Sequence, residues 1–419
     1  MVKILFTTPV LEYPAAGGPQ LRIENSIKAL NKVAELHVIC RETKTRIGSE
    51  VAEKHYRALC HSFSYSPSTY YVRKTIEILI RRFLKICKII FKIDTSFLLG
   101  KIESKRETMD AEYIIRYAKE HLIDVIWFGY GNISYDLMKT IKAKAPNLRI
   151  VCDTDSVWSR FILRELPYEF DAKRRKKIEE NGKKKEREEA DWVNSCDVTT
   201  AVSDVDADYY KHLAKDKNRI KIFSNVIDLD AYKNKPPKAK EIKNPCIYIA
   251  GSFGPKSPME KAARWIIEEI FPIIIRDMPG INLYIVGKGS DTTLSDVKND
   301  SIIITGKLGS VLPYLCYADV ALVPLFFESG TRFKILEAAA CGIPIVSTTL
   351  GAEGLIVIPE EDILIADEPQ TFARAIIRII KDKNFAHNMA SNCKAKIEKR
   401  YSIDALVEEA REILASLGA

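Results

Sequence analysis

Nine cysteines are spread through the 419 residues, yet no two form a C-x-x-C pair or stand at zinc-ligand spacing. Scattered, unpaired thiols fit a reducing cytoplasmic setting better than an oxidising one. Met1-Val2-Lys3 leads directly into an apolar strand pattern, so no secretory leader is expected. No uninterrupted apolar run reaches the ~18 to 20 residues that a bilayer-spanning helix needs. The dinucleotide fingerprint G-x-G-x-x-G is missing after the first strand, and no acidic residue closes the second. Basic residues are not interleaved with aromatic stacking platforms, and no nucleic-acid motif occurs, so nucleic acid is not an expected partner.

What is present is an ordinary globular composition, 47% hydrophobic and 29% charged, long enough for two or three domains. Short apolar runs alternate with helical patterns along the whole chain. In the first half the predicted strands are 3–7, 35–40, 124–128, 149–152, 197–202 and 221–224. In the second half they are 247–250, 283–286, 302–305, 319–323, 343–346 and 363–366. Such alternation is the signature of doubly wound parallel sheets, an α/β fold. Residues 233–245, with Pro236-Pro237 and five lysines, make the best linker.

One stretch, 319–354, reads DVALVPLFFESGTRFKILEAAACGIPIVSTTLGAEG. An apolar run through Val323 predicts a buried parallel strand, and a polar turn, Glu328-Ser329-Gly330-Thr331, opens a helix. Cys341-Gly342 and Pro344 end that helix. Ser329 or Thr331 is placed to cap its first turn, and Gly330 lets a ligand approach the backbone. Arg332 and Lys334 add positive charge where the helix dipole is already positive, an arrangement that calls for an anion. A diphosphate is the natural candidate.

The run G-T-R-F-K-I-L-E, from Gly330 to Glu337, resembles the donor-binding segment of GT-B glycosyltransferases of the retaining group 1, family 4 type. The resemblance implies two Rossmann-like domains facing a central cleft: 1–235, an acceptor domain to which a final helix in 400–419 returns, and 236–399, a nucleotide-sugar donor domain. It makes Glu337 the ribose ligand, with Arg332, Lys334 and the amides near Gly330 and Thr331 holding the diphosphate. Gly17 and Gly18 resemble the glycine loop across from the donor phosphates. Gly251-Ser252-Phe253-Gly254 corresponds to a donor-phosphate loop, with Lys256 nearby. Gly287 ends another strand, and Thr305-Gly306-Lys307 sits where the family touches the base. Asp155, in the run Asp153-Thr154-Asp155-Ser156, is the acidic residue expected beside the reacting sugar, where broader relatives carry His-Asp. Ser224-Asn225-Val226-Ile227-Asp228 resembles the turn closing the first domain. One departure is plain: Ser329 occupies the place of the family's first acidic residue, with Glu328 one position earlier.

The implied donor is a UDP-, GDP- or ADP-sugar, the acceptor a glycan or lipid-linked glycan, with no cofactor and no metal. A sugar-nucleotide epimerase and a non-catalytic sugar-nucleotide-binding module are the alternatives on the same fold. Two charged stretches remain. Residues 73–92 predict a helix with one apolar face and one nearly all-basic face. That pattern suits either an anionic membrane surface or packing on the domain's sheet. Residues 173–189 mix both signs at helical spacing and predict a solvated, salt-bridged helix.

Overall fold

The computed structural model describes residues 1–15, 17–41, 50–67 and 96–419, with side chains from 106 onward in the last stretch. The basic pattern at 73–92 lies outside the described residues. Seven strands make the first sheet: β1 (Lys3–Thr8), β2 (Glu35–Cys40), β3 (Ser62–Tyr65), β4 (Val125–Gly129), β5 (Arg149–Asp153), β6 (Val198–Ala201) and β7 (Ile220–Ile222). They lie in the order β3-β2-β1-β4-β5-β6-β7, every pair parallel. Six more make the second sheet: β8 (Cys246–Ala250), β9 (Asn282–Val286), β10 (Ile302–Ile304), β11 (Val320–Val323), β12 (Ile345–Ser347) and β13 (Leu364–Ile365). Their order is β10-β9-β8-β11-β12-β13, again parallel throughout. Twelve of these strands fall on the predicted runs. β3 was missed, because Ser62-Phe63-Ser64-Tyr65 is an alternating four-residue edge strand with only Phe63 and Tyr65 turned inward.

The central strands are apolar on both faces because helices cover both sides. Ile4, Leu5 and Phe6 are all fully buried, as are Val320 and Val346 in the second sheet. The helix Gly18–Leu30 (α1) starts with Pro19 in its first turn, where the missing N–H costs nothing. α1 also turns polar residues inward. Arg22 forms a buried ion pair with Asp153 at the end of β5, and donates to Asn225 Oδ1 at 2.7 Å and to the Phe223 carbonyl at 3.0 Å. Asn25 donates to the Val226 carbonyl at 2.7 Å. These bonds tie the chain leaving the first sheet, around Ser224-Asn225, to α1 and β5.

The charge run becomes the helix Ala172–Ser195 (α2), capped by Asp171, whose carboxylate accepts from the Arg174 amide. Its outer face carries i,i+4 pairs such as Lys183–Glu179. Its inner face buries Glu189, which accepts from the Ser159 amide and hydroxyl and from Tyr209 Oη. Gly182 is required there, since a Cβ would stand 2.3 Å from Leu163 Cδ2.

In the second sheet β11 feeds, through residues 324–332, the helix Phe333–Ala340 (α3). The last helix, Ile403–Ser416 (α4), packs on α1 of the first unit. Glu409 of α4 accepts from the Ser224 amide and hydroxyl at 2.7 and 2.8 Å, and Ser402 bridges to Ile227. The chain therefore crosses between the two sheets twice. No helix among the described residues is long and apolar enough to cross a membrane.

Candidate functional site

Each sheet reverses its strand order once, between β1 and β4 and between β8 and β11. At such a point neighbouring connections leave toward opposite faces, and a crevice opens at the carboxyl ends of the strands. The loops at the two crevices are those carrying Gly17-Gly18 after β1, Tyr130–Asn132 after β4, Gly251–Gly254 after β8, and 324–332 after β11.

These loops meet. A Cβ on Gly18 would stand 3.2 Å from the Phe333 ring at the start of α3. Gly330 holds φ +81, and a Cβ there would lie 2.7 Å from the Asp155 carbonyl oxygen. Gly354 is similarly pressed against Ser203. Hydrogen bonds run alongside: Asn225 Nδ2 donates to Thr331 Oγ1 at 2.9 Å, and the Val157 amide donates to Ser329 Oγ at 3.2 Å. The helix start predicted to hold an anion thus faces the N-terminal glycines and the end of β5.

Two expectations at that turn need correction. Neither Ser329 nor Thr331 caps α3. The cap residue is Arg332, with extended backbone, and no side chain accepts from the first amides. The hydroxyls of Ser329 and Thr331 are spent on the other unit, because the units approach more closely there than the chain's own next turn does. Uncapped amides at a helix start want an outside acceptor. Nor is the Arg332 guanidinium displayed in an open cavity. It is 4% exposed, 3.2 Å from Glu328 and within reach of the Gly330 and Leu350 carbonyls. Its Nε and Glu328 Oε2 are nevertheless buried without a hydrogen-bond partner. Burial lowers its pKa, opposed chiefly by Glu328. Arg332 Nε and Glu328 Oε2 are 3.2 Å apart, an ion pair without hydrogen-bond geometry, so Glu328 satisfies the guanidinium by charge alone.

Lys334 is half-buried and has no hydrogen bond or ion pair among the described residues. One turn on, Glu337 accepts from Tyr232 Oη at 3.0 Å, and burial raises its pKa. Tyr232 belongs to the crossing segment, so the carboxylate is oriented from outside its own domain. Asp155 accepts from Asn132 Nδ2 at 2.6 Å and from Trp158 Nε1 at 3.2 Å; burial raises its pKa against these bonds. Asp153, two residues earlier, is spent on Arg22 and on Thr200, whose hydroxyl donates to it at 2.8 Å.

The remaining glycine loops of the second sheet knit to one another. The Gly251 amide donates to Val286, Phe253 to Lys288, and Gly287 to Gly306. A Cβ at Gly287 would be 2.1 Å from the Gly251 carbonyl oxygen, so close backbone contact alone requires that glycine. Ser252 and Lys307 are exposed at the same end of the sheet. Lys256 reaches across to Glu169 at 3.5 Å.

Sequence reading missed the charged cluster that locks the units together. Arg164 pairs bidentately with Glu353, both contacts 2.8 Å, and donates to the Glu328 carbonyl at 2.7 Å. Arg160 lies 3.5 Å from Glu353 and 3.6 Å from Asp206. Burial pushes Asp206 up to about 6, with the arginines pulling the other way. Arg164 lies 164 and 189 positions from its partners Glu328 and Glu353, and nothing local marks them. Two surface cavities, of 420 and 290 Å³, lie away from this interface, beside Phe271 and beside Arg219.

Residues 244–382 match the family model described as Glycosyl transferases group 1. The structure superposes on Anabaena HepE in complex with UDP and glucose at TM-score 0.66 and 14% identity, covering 99% of this chain and 100% of that one. Sucrose-phosphate synthase of Thermosynechococcus elongatus gives TM-score 0.68 at 15% identity, covering 100% and 99%. The chain has the GT-B fold, and its residues 244–382 are similar to the glycosyl transferases group 1 domain. That stretch contains β8 to β13, α3 and every second-sheet loop described above. Among curated proteins, this GT-B chain is 23% identical over 232 residues to N-acetyl-alpha-D-glucosaminyl L-malate synthase of Bacillus anthracis. It is also 23% identical over 146 residues to an uncharacterized 44.6 kDa protein of the Klebsiella pneumoniae cps region. The matched stretches cover 52% and 33% of this chain and span 59% and 38% of those relatives.

Proposed function

We propose that this chain is a glycosyltransferase that moves a sugar from a nucleotide-diphosphate donor to a glycan or lipid-linked acceptor, with retention and without a metal. The observation that carries it is the apposition of Gly18 and Asp155 to the uncapped start of α3, beside the half-satisfied Arg332. In the reaction, the acceptor oxygen forms a bond to the anomeric carbon as the bond from that carbon to the diphosphate oxygen breaks. The bonding pair leaves with the diphosphate, and the acceptor's proton passes to it on the same face. The state between is oxocarbenium-like, and the growing negative charge is the thing to stabilise. Arg332, Lys334 and the first amides of α3 supply donors for it; removing one such donor costs on the order of 100- to 1,000-fold in rate. Glu337, held by Tyr232, is suited to the ribose hydroxyls. Asp155, held by Asn132 and Trp158, is the acidic residue we assign to the reacting sugar.

Donor entry requires the units to part and then close, expelling water that would hydrolyse the donor. Uridine diphosphate and its sugars are the first donors to test, since Anabaena HepE was solved with UDP and glucose; GDP- and ADP-sugars follow. Arg332→Ala and Glu337→Ala should each weaken nucleoside-diphosphate binding in calorimetry while circular dichroism stays unchanged. Unaltered affinity in both would end the assignment. Conversion of the donor in the absence of any acceptor would mark an epimerase instead.

A further inference from the structure

Three of the chain's six histidines gather far from the cleft, at the amino ends of β2 and β3. Glu35 and His37 alternate along β2 and so share one face of the sheet. His61 enters at the start of β3, its amide donating to the Leu36 carbonyl at 2.8 Å. His37 Nε2 stands 3.1 Å from Glu35 Oε1, and His61 Nε2 stands 3.9 Å from the same oxygen. All three ligand atoms lie within 4.8 Å of one another.

We infer that Glu35, His37 and His61 form a binding site for a divalent first-row transition ion of the Zn²⁺ type. Tetrahedral Zn²⁺, with bonds of about 2.0 to 2.2 Å, sets its ligand atoms roughly 3.3 to 3.5 Å apart. The two separations from Glu35 bracket that value, and side-chain rotation would bring the two imidazole nitrogens, now within 4.8 Å of each other, to the same spacing. Two imidazoles and one carboxylate suit Zn²⁺ and its neighbours and do not suit Mg²⁺ or Ca²⁺.

The second layer is built as well. His37 is 2% exposed, and its Nδ1 lies 2.9 Å from Ser62 Oγ and 3.0 Å from Tyr117 Oη. Either hydroxyl can accept the Nδ1 proton, which leaves the Nε2 lone pair facing Glu35, the usual way that a ligating histidine is oriented. His61 is the exposed member, with 60% of its side chain accessible, so an ion can enter from that side and water can fill its fourth position. The place already holds one cation: Lys3 Nζ lies 3.0 Å from Glu35 Oε1. A metal ion would displace that ammonium and clip the short edge strand β3 to β2.

The test uses the full chain, free of affinity tags and stripped by chelator. Zn²⁺ is titrated against a chromophoric competitor, and Co²⁺ is followed by the visible bands of tetrahedral coordination. One equivalent should bind, with a rise in melting temperature that Mg²⁺ does not reproduce. Removing an outer-layer partner of a metal ligand costs about 10- to 100-fold in affinity, so His61→Ala, at an exposed position, should cost more than that. Lys3→Gln should tighten binding, a result that a purely structural role for the cluster would not produce. His212→Ala, an exposed histidine outside the cluster, should leave affinity unchanged. Failure of the wild type to bind, equal affinity in His61→Ala, or loss of binding only in Cys341→Ser would overturn the site.

Discussion

Gly330→Ala tests whether the two units must close tightly for turnover. Gly330 holds φ +81, a left-handed backbone that costs a non-glycine residue about 1 to 2 kcal/mol. Alanine recovers about 0.4 to 1 kcal/mol by stiffening the unfolded chain, so the local net cost is about 1 kcal/mol. The new Cβ would also stand 2.7 Å from the Asp155 carbonyl oxygen, against an optimum near 3.5 to 4.0 Å for carbon contacts. Asp155 cannot simply retreat, since Asn132 and Trp158 hold its side chain at the end of β5. Relief therefore comes from separating the units. Overpacking of this kind costs about 1 to 3 kcal/mol, which at 1.36 kcal/mol per factor of ten is roughly a 5- to 150-fold loss of turnover. Gly342→Ala is the matched control. Its φ is +69, and nothing lies within 4 Å of a Cβ there, so it carries the backbone cost alone. Both variants should lose about 2 to 4 °C of melting temperature per kcal/mol. Only Gly330→Ala should speed nucleotide release and enlarge the radius of gyration in solution scattering. Identical turnover and scattering from the two would refute the closure argument.

Three further outcomes follow from the interface and its surroundings. Arg164→Ala should open the units without touching the helix start, because it removes both bonds to Glu353 and one to Glu328; scattering would report it, and an unchanged radius would count against the lock. Asp206 is raised from 3.8 to about 6 in the folded protein, so the folded state holds a proton that the unfolded chain has lost. Its contribution to stability is present below about pH 4 and is lost as pH rises to about 6. Asp206→Asn should therefore gain on the wild type across that window in denaturant melts, with a flat difference outside it. Glu189→Ala leaves the Ser159 amide and hydroxyl and Tyr209 Oη without their shared acceptor. It should destabilise the first unit by about 2 to 4 kcal/mol, read as a shift in urea midpoint; a shift under about 0.5 kcal/mol would mean the carboxylate is dispensable.

Local sequence carried the parallel strands, the glycine turns and the stretch from Gly330 to Glu337. Strands buried on both faces must be continuously apolar, and a phosphate-type loop must place small residues before a helix; both demands are met by neighbours in sequence. β3 escaped because an edge strand of four residues needs only two apolar side chains. What folding alone decided are choices between partners distant in the chain. Asp153 and Asp155 look alike in sequence, yet one carboxylate is spent on Arg22, 131 residues away, and the other on Asn132 and Trp158. Ser329 and Thr331 look like caps, yet their hydroxyls bond to the opposite unit at Val157 and Asn225. A hydroxyl or carboxylate takes whichever donor comes within about 3 Å, and which donor comes that close is a property of how two sheets pack, not of the residues beside it.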